Sequence, residues 1–574
     1  MDGKIIRGKK SGVLSRFTQH ISKRVKAFGY GTGFYRIRLK GKHPVKLDAS
    51  PDNPWVGDLA RGSELLGGQF QKAGFEANAD DHSLWVEAEV GPPAFKNWIH
   101  SFVWLSDLAT LADNERAQAR AESIVKDWVA VYGEWHEDAW RQDLIGLRII
   151  YWTFYAPLIL SCDDLVYRSK VLNALARQAR HLHRTVLDGP DGLPRIQAIV
   201  GLTISGLVMP YGIDRKEKGL RLLEKVLKRL VLADGGMVNH SVRDCFETAK
   251  LLVTLKTTLI SLNKDMPDWL QTTLDRMIPY IRAHCHGDGG FGHFNGAFEN
   301  DSDGLDKLIL LSDSKGKPIE NAILSGFQRI KRKKTLVMLD VAPSSDPNLN
   351  MANHAGVLAT EISDGRDRII VNTGGSRTGQ SKDRNDIFGP NRATAYHSAL
   401  TIGGNNNVPL NGDGTVGNAE QSVKVVRNEN DQGVWLATCF KGKNAGGQTF
   451  DHKRHIFVSS DGSDIRGEDV VNQISTGLFA SFSSPKATDF IAYFHLHPTV
   501  TASLTREGTA VILRTASGRG WLFRAKGGDV ELMKSQYQMS SRSDRRSSVS
   551  IVVKSKGQSN AKFNWSLRRL DSRD

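Results

Sequence analysis

The sequence predicts a multidomain chain, α-helical first and β-rich second, and three observations carry that expectation. Its 574 residues exceed what one ordinary hydrophobic core serves. Apolar residues recur at helical spacing from about residue 95 to 290. After about residue 330 the period changes to two, with turn residues at strand-length intervals. Helices followed by strands segregate into separate layers or domains, and a crevice between such domains is the first place to seek a ligand.

Basic residues crowd the N-terminus, from Lys4, Arg7, Lys9 and Lys10 to Lys40, Lys42 and Lys46, so residues 1–50 are expected to form a basic arm, either solvated or partner-binding. The helical region is placed at 51–330. Leu220, Leu223, Leu227 and Leu230 step by three and four, as do Leu252, Leu255, Leu259 and Leu262, so each set lines one helix face that needs a covering helix. Similar segments run from Trp98 to Ala112, Glu115 to Tyr132, Leu144 to Leu160, Tyr167 to Leu187, Ile196 to Val208 and Trp269 to His284. Antiparallel helix pairs of this kind stack as a solenoid or close into a toroid, and periodicity alone does not choose between them. Tryptophans are frequent here, and at helical spacing most are expected in the core, with one or two left to line a cleft.

Residues 331–574 are expected to form an antiparallel β-sandwich. Val549, Ile551 and Val553 alternate with Ser548 and Ser550, and turns such as Ser460-Asp461-Gly462-Ser463 and Asn411-Gly412-Asp413-Gly414 punctuate the strands. The basic run Arg329-Ile330-Lys331-Arg332-Lys333-Lys334 lies where the two periods meet and is taken as the boundary. Within the β-rich region His354, His397, His495 and His497 sit in strand-like segments, where an imidazole serves either a polar site or a hydrogen-bonded core.

The net charge of +15 and the pI near 9.5 favour an anionic partner, whether nucleic acid, anionic lipid or acidic polysaccharide. No nucleic-acid recognition motif accompanies the charge, so no nucleic acid is expected. Four separated cysteines do not make a disulfide framework. No apolar stretch is long enough to span a bilayer and no signal peptide is recognised, which predicts the cytoplasm, with periplasm or cell envelope as the alternative. The glycine loop Gly287-Asp288-Gly289-Gly290 lacks the Lys-Ser or Lys-Thr of a phosphate loop and is expected only to turn the chain.

Several short motifs occur in a telling order: Asn53-Pro54-Trp55-Val56-Gly57-Asp58, Gly146-Leu147-Arg148, Asp234-Gly235-Gly236, His286-Gly287-Asp288-Gly289-Gly290 with Phe294-Asn295-Gly296, His354-Ala355-Gly356, Tyr396-His397-Ser398 and Arg466-Gly467-Glu468-Asp469. Through them the chain resembles the heparinase II/III family of polysaccharide lyases, and a bacterial branch described as heparinase II/III-like. The resemblance implies an incomplete α/α toroid followed by a β-sandwich, and β-elimination at a uronic acid in an acidic polysaccharide. Such chemistry needs a group that neutralises the uronate, a base for the C5 proton and an acid for the leaving oxygen.

By resemblance, His240, Tyr396 and His397 are the candidate proton-moving residues, and Asn239 and Arg243 the candidate substrate-binding ones. Asp244 and Cys245 stand where the family has a Tyr-His pair, and Ala352 where it has a histidine. The alternative is therefore a catalytically silent glycan-binding or envelope-assembly protein on the same scaffold. Some members hold zinc in the sandwich, and His354, Asn372 and His397 occupy the matching places. Asn in place of Asp is a poor zinc ligand. The expectation that follows is geometric: His354 and His397 lie on neighbouring strands and converge, with Asn372 beside them.

Overall fold

The computed structural model describes residues 29–570 apart from 43, 73, 80–83, 343–345, 347–348, 350–351, 375–389, 412–414, 417–422, 444–448, 475–487, 541–544 and 558–559. Most of the basic arm and the centre of the Asn411 turn lie outside the described residues. The chain separates into two compact units, one of residues 1–229 with 247–272, the other of 230–246 with 273–574.

The first unit is helical. Its main helices are Pro93–Ser101, Glu115–Tyr132, Gln142–Phe154, Leu165–Thr185 and Leu193–Val208, with most of Ile213–Leu230 and Val242–Ser261. Local sequence sets their ends. Asn114 accepts from Arg116 N, Asp164 accepts from Val166 N and Tyr167 N, and Pro194 stands in the first turn of Leu193–Val208. Helices Gln142–Phe154 and Leu193–Val208 meet backbone to backbone: a Cβ added to Gly201 would lie 2.3 Å from Gly146 Cα, so neither position admits a side chain without moving a helix. Trp104, Trp128, Trp140 and Trp152 are fully buried and therefore core residues.

The Arg148 of the Gly-Leu-Arg motif is buried with them. Its guanidinium donates to Gln178 Oε1, His100 O and Ala139 O at 2.6–2.9 Å and lies 4.2 Å from the centre of the Trp128 ring. Burial pushes its pKa well down, but three acceptors and a π face spread the charge. Before these helices, Gly33–Leu39 is capped by Thr32 and anchored by the Tyr35 hydroxyl, 2.7 Å from His181 Nδ1. Among the described residues no helix is long and apolar enough to cross a membrane, and all four cysteines are free.

The second unit carries two antiparallel sheets; the hairpin β1 (Gln69–Lys72) and β2 (Phe75–Asn78) belongs to the helical unit. One sheet contains β3 (Asn321–Ala322), β4 (Phe327–Arg332), β5 (Thr335–Asp340), β6 (Thr360–Asp364), β7 (Asp367–Val371), β8 (Leu400–Ile402), β13 (Thr488–Leu496), β17 (Asp529–Tyr537) and β18 (Arg546–Gly557). The other runs β14-β15-β16-β19-β12-β11-β10-β9, built from β9 (Val423–Asn430), β10 (Gly433–Lys443), β11 (Thr449–Ser459), β12 (Asp464–Ile474), β14 (Thr501–Leu504), β15 (Ala510–Arg514), β16 (Gly520–Lys526) and β19 (Asn560–Arg569). Alternation sends Ala561, Phe563, Trp565 and Leu567 of β19 into a core shared with Ile362, Ile370, Phe494 and Ile551 of the first sheet.

Arg329 to Lys334 form the end of β4 and the turn before β5, with Ile330 buried and Lys333 at φ 48° turning the hairpin. One expectation is corrected here. His354 and His397 do not lie on neighbouring strands. His354 is in the loop before β6, and His397 follows the 3-10 turn Thr394–Tyr396 before β8, so strand alternation does not govern Tyr396 and His397.

Candidate active site

Both loops are held from beneath by Arg454 on β11. Its Nη1 donates to Leu358 O at 2.7 Å and Ser398 O at 3.0 Å, and its Nε meets Asp469 at 2.7 Å. Asp469, the last residue of the Arg-Gly-Glu-Asp motif, also takes Trp565 Nε1 and His452 Nε2. Burial alone would raise its carboxyl, but Arg454 and His452 hold it far below the usual carboxylate range.

On these loops the two histidines meet. His354 Nδ1 lies 2.9 Å from His397 Nε2, and His397 Nδ1 lies 2.8 Å from Ala393 O. A carbonyl only accepts, so His397 carries its proton on Nδ1 and receives the His354 Nδ1–H on Nε2. Gly356 makes room, since a Cβ there would sit 2.7 Å from His397 Cδ2. Burial lowers the His397 pKa to about 4, so the ring is neutral at pH 7.

Asn295 joins this pair to the chain around His240. Its Oδ1 accepts from His354 N at 3.2 Å, and its Nδ2 reaches His240 O at 3.4 Å and Asp340 Oδ2 at 3.5 Å. Asn295 and His240 have φ values of 46° and 56°, a left-handed backbone that is costly for histidine. His240 Nδ1 is 3.0 Å from Ser325 O, which fixes the Nδ1–H tautomer and leaves Nε2 with its lone pair, and burial lowers its pKa to about 4. Asp340 closes the group. Burial raises its carboxyl to about 7 against the hydrogen bonds from Ala342 N and Asn295, so it shares a proton with solvent near neutrality.

The remaining sequence candidates have other partners. Asn239 donates to Asp244 Oδ2 at 2.8 Å and accepts from Ser241 N, bracing the first turn of Val242–Ser261. Arg243 lies 3.5 Å from Asp301 Oδ1. Tyr396 is half-buried and its carbonyl accepts from Thr373 N and Oγ1. Cys245 is fully buried with its thiol on Gly235 O, and burial pushes its pKa well up. His495 is a core imidazole, bonded to Ser535 Oγ and Ala395 O.

Asn372 does not join the histidine pair. Its Oδ1 accepts from Ser398 N at 2.9 Å and its Nδ2 donates to His293 O at 3.2 Å, which uses both ends of the amide. The 2.9 Å between the two imidazole nitrogens is a hydrogen bond, and it is shorter than the roughly 3.3 Å separating two nitrogens in a tetrahedral zinc site. Among the described residues no group of three His, Cys, Asp or Glu side chains is placed to hold a metal. His354, Asn372 and His397, which the resemblance matches to a zinc set, therefore do not fit that ion.

Sequence reasoning also missed a second polar cluster. Glu361 on β6 is fully buried and accepts from His286 Nε2 at 2.7 Å, Asn372 N at 2.9 Å and His293 N at 3.0 Å. Burial would raise its carboxyl, but the hydrogen bond from His286 and the nearby Arg368 guanidinium hold it down at about 2. His286 itself is neutral, lowered by burial, and its Nδ1 meets Ser363 Oγ at 2.9 Å. The glycine loop turns as expected, and its Asp288 pairs with buried Arg368 at 2.6 Å.

Comparison with known proteins follows the same outline. The chain is 24% identical over 556 residues to FtsZ-localized protein C of Caulobacter vibrioides, covering 94% of this chain and 93% of that protein. A crystal structure of heparinase III superposes with a TM-score of 0.72 at 12% identity, over 97% of this chain and 91% of that one. A heparan sulfate lyase from Pedobacter heparinus gives 0.62 at 14%, over 94% and 88%. The helical region followed by antiparallel sheets is thus the fold of these lyases. Residues 314–566, which span the β-rich part of this chain, match the family described as heparinase II/III-like, C-terminal.

Proposed function

We propose that this protein acts on an acidic, uronic-acid-containing polysaccharide by β-elimination. The observation that carries the reading is that Asn295 ties together the His240 backbone carbonyl, the Asp340 carboxyl and the backbone N–H of His354, whose ring pairs with His397, within the heparinase-like unit. In the proposed step the neutral imidazole of His240, whose Nε2 keeps its lone pair, takes the C5 proton. The released electron pair forms the C4–C5 double bond as the C4–O bond breaks, and Tyr396, or His397 as it takes the His354 proton on Nε2, protonates the departing oxygen. Asp340, with its carboxyl near 7, supplies the neutral acid that favours charge build-up on the uronate. Arg243 is the cation that the uronate meets in place of Asp301, and Asn239 positions it by bracing the same helix start.

A second reading is favoured by one observation. Where the family resemblance calls for a Tyr-His pair, Asp244 is tied to Asn239 and Cys245 is sealed in the core, which suits a silent glycan-binding or envelope-assembly protein. The name of the Caulobacter relative, FtsZ-localized, accords with it. Incubation with heparan sulfate, chondroitin sulfate, hyaluronan and polygalacturonate, followed by the ultraviolet absorbance of the unsaturated uronate, decides between them. An unsaturated product establishes elimination. Saturable binding with no absorbance across the panel establishes the silent reading.

A further inference from the structure

On the outer face of the second sheet, registration aligns Trp435, Phe457, Arg466, Ser566 and Arg524 in one row across β10, β11, β12, β19 and β16. Four strand spacings make the row about 19 Å long. Two residues along, His455, Glu468, Asn564 and Lys526 form a parallel row. Between the rows the strands turn Gly467 inward, where a Cβ would lie 1.9 Å from the Trp565 ring, and a groove of about 470 Å³ results.

One end of the groove is an aromatic shelf. Trp435 is 47% exposed and held against Phe457 at 4.4 Å between ring centres, so its indole is presented rather than mobile. The other end is cationic. Among the described residues no carboxylate bridges Arg524 or Lys526, while Arg466 is shared with Asp464 at 2.7 Å and Lys562 with Glu468 at 2.6 Å.

We propose that this groove is a second binding site for an acidic glycan chain, separate from the histidine loops. The indole would cover one sugar face, Arg524 and Lys526 would meet carboxylate or sulfate groups, and Asn564 and Ser566 would meet hydroxyls. A peptide adding as a strand is disfavoured, because the five strands have spent their backbone groups on one another. Single-stranded nucleic acid stacks successive bases on successive aromatics, and the groove exposes one such shelf. The glycan class rests on the function proposed above; the site does not depend on cleavage.

The test is calorimetric titration of the full chain with heparan sulfate and chondroitin sulfate chains, with dextran as the neutral control. Trp435→Ala and the double variant Arg524→Gln/Lys526→Gln should each weaken binding about tenfold, whereas Trp435→Phe should keep most of it. Acidic chains held no tighter than dextran, or both groove variants binding as well as the wild type, overturn the site. Elimination is read separately by absorbance, so a silent protein that binds through the groove and an active one that ignores it give different results. The double variant changes only exposed side chains, and an unchanged melting temperature confirms its fold.

Discussion

Two buried histidine clusters lie in one unit, and they are built differently. Around Glu361 the polar atoms lie at 2.7–3.0 Å, the carboxyl is held down at about 2, and each acceptor has its donor. Around Asn295 the links are 3.2–3.5 Å, two non-glycine residues have left-handed backbones, and the carboxyl titrates near 7. The first arrangement holds the fold, since short charge-assisted bonds in a dry interior are costly to break. The second has its carboxyl poised where a proton is exchanged, at the expense of bonding.

The sharpest way to break this contrast is to exchange the clusters' expected failures. Glu361→Ala strands three buried donors and should cost about 3–5 kcal/mol in urea unfolding. His397→Ala removes one neutral hydrogen-bonding ring and should cost only about 1–3 kcal/mol, while any elimination activity falls on the order of 100-fold. Equal losses of stability from the two variants would erase the distinction.

Asp340 sharpens it through pH. Its folded pKa of about 7 lies above the ordinary 3.8, so its contribution is fully present below about 4 and is lost as pH rises through 7. Asp340→Asn lacks that slope. The variant should gain on the wild type by at most about 1.4 kcal/mol per pH unit across the window and be the more stable protein at pH 8. His240 and His397, lowered from 6.5 to about 4, have the opposite slope and lose their contribution as pH falls through 4. They are common to both proteins and cancel in the difference. A variant that tracks the wild type from pH 4 to 8 would show an Asp340 carboxyl of ordinary acidity.

The smallest expected effect concerns metal. Added zinc or a chelator should move the melting temperature by less than about 1 °C, because a bound ion at saturating concentration would contribute several kcal/mol. A larger shift in either direction would reinstate a metal in the sandwich.

The order of helices and strands was legible because period 3.6 and period 2 dominate their regions. So was the meeting of His354 and His397, although the family resemblance carried it and the supporting elements are loops. Glu361 was invisible: in Thr360-Glu361-Ile362-Ser363-Asp364 alternation reads as a strand with a wet face, yet all five residues are buried. Asp340 and Asn295 were missed for a related reason. Each is an ordinary strand-end or loop residue, and only the folded chain brings them beside His240.

Asn372 has a consequence of its own. A carboxylate at that place offers acceptors alone and must borrow positive charge from an ion, whereas an amide brings a donor and an acceptor on one side chain. With Ser398 N on one end and His293 O on the other, the joint is complete as soon as the chain is made. The link that Asn372 makes between these two segments is therefore complete without an ion.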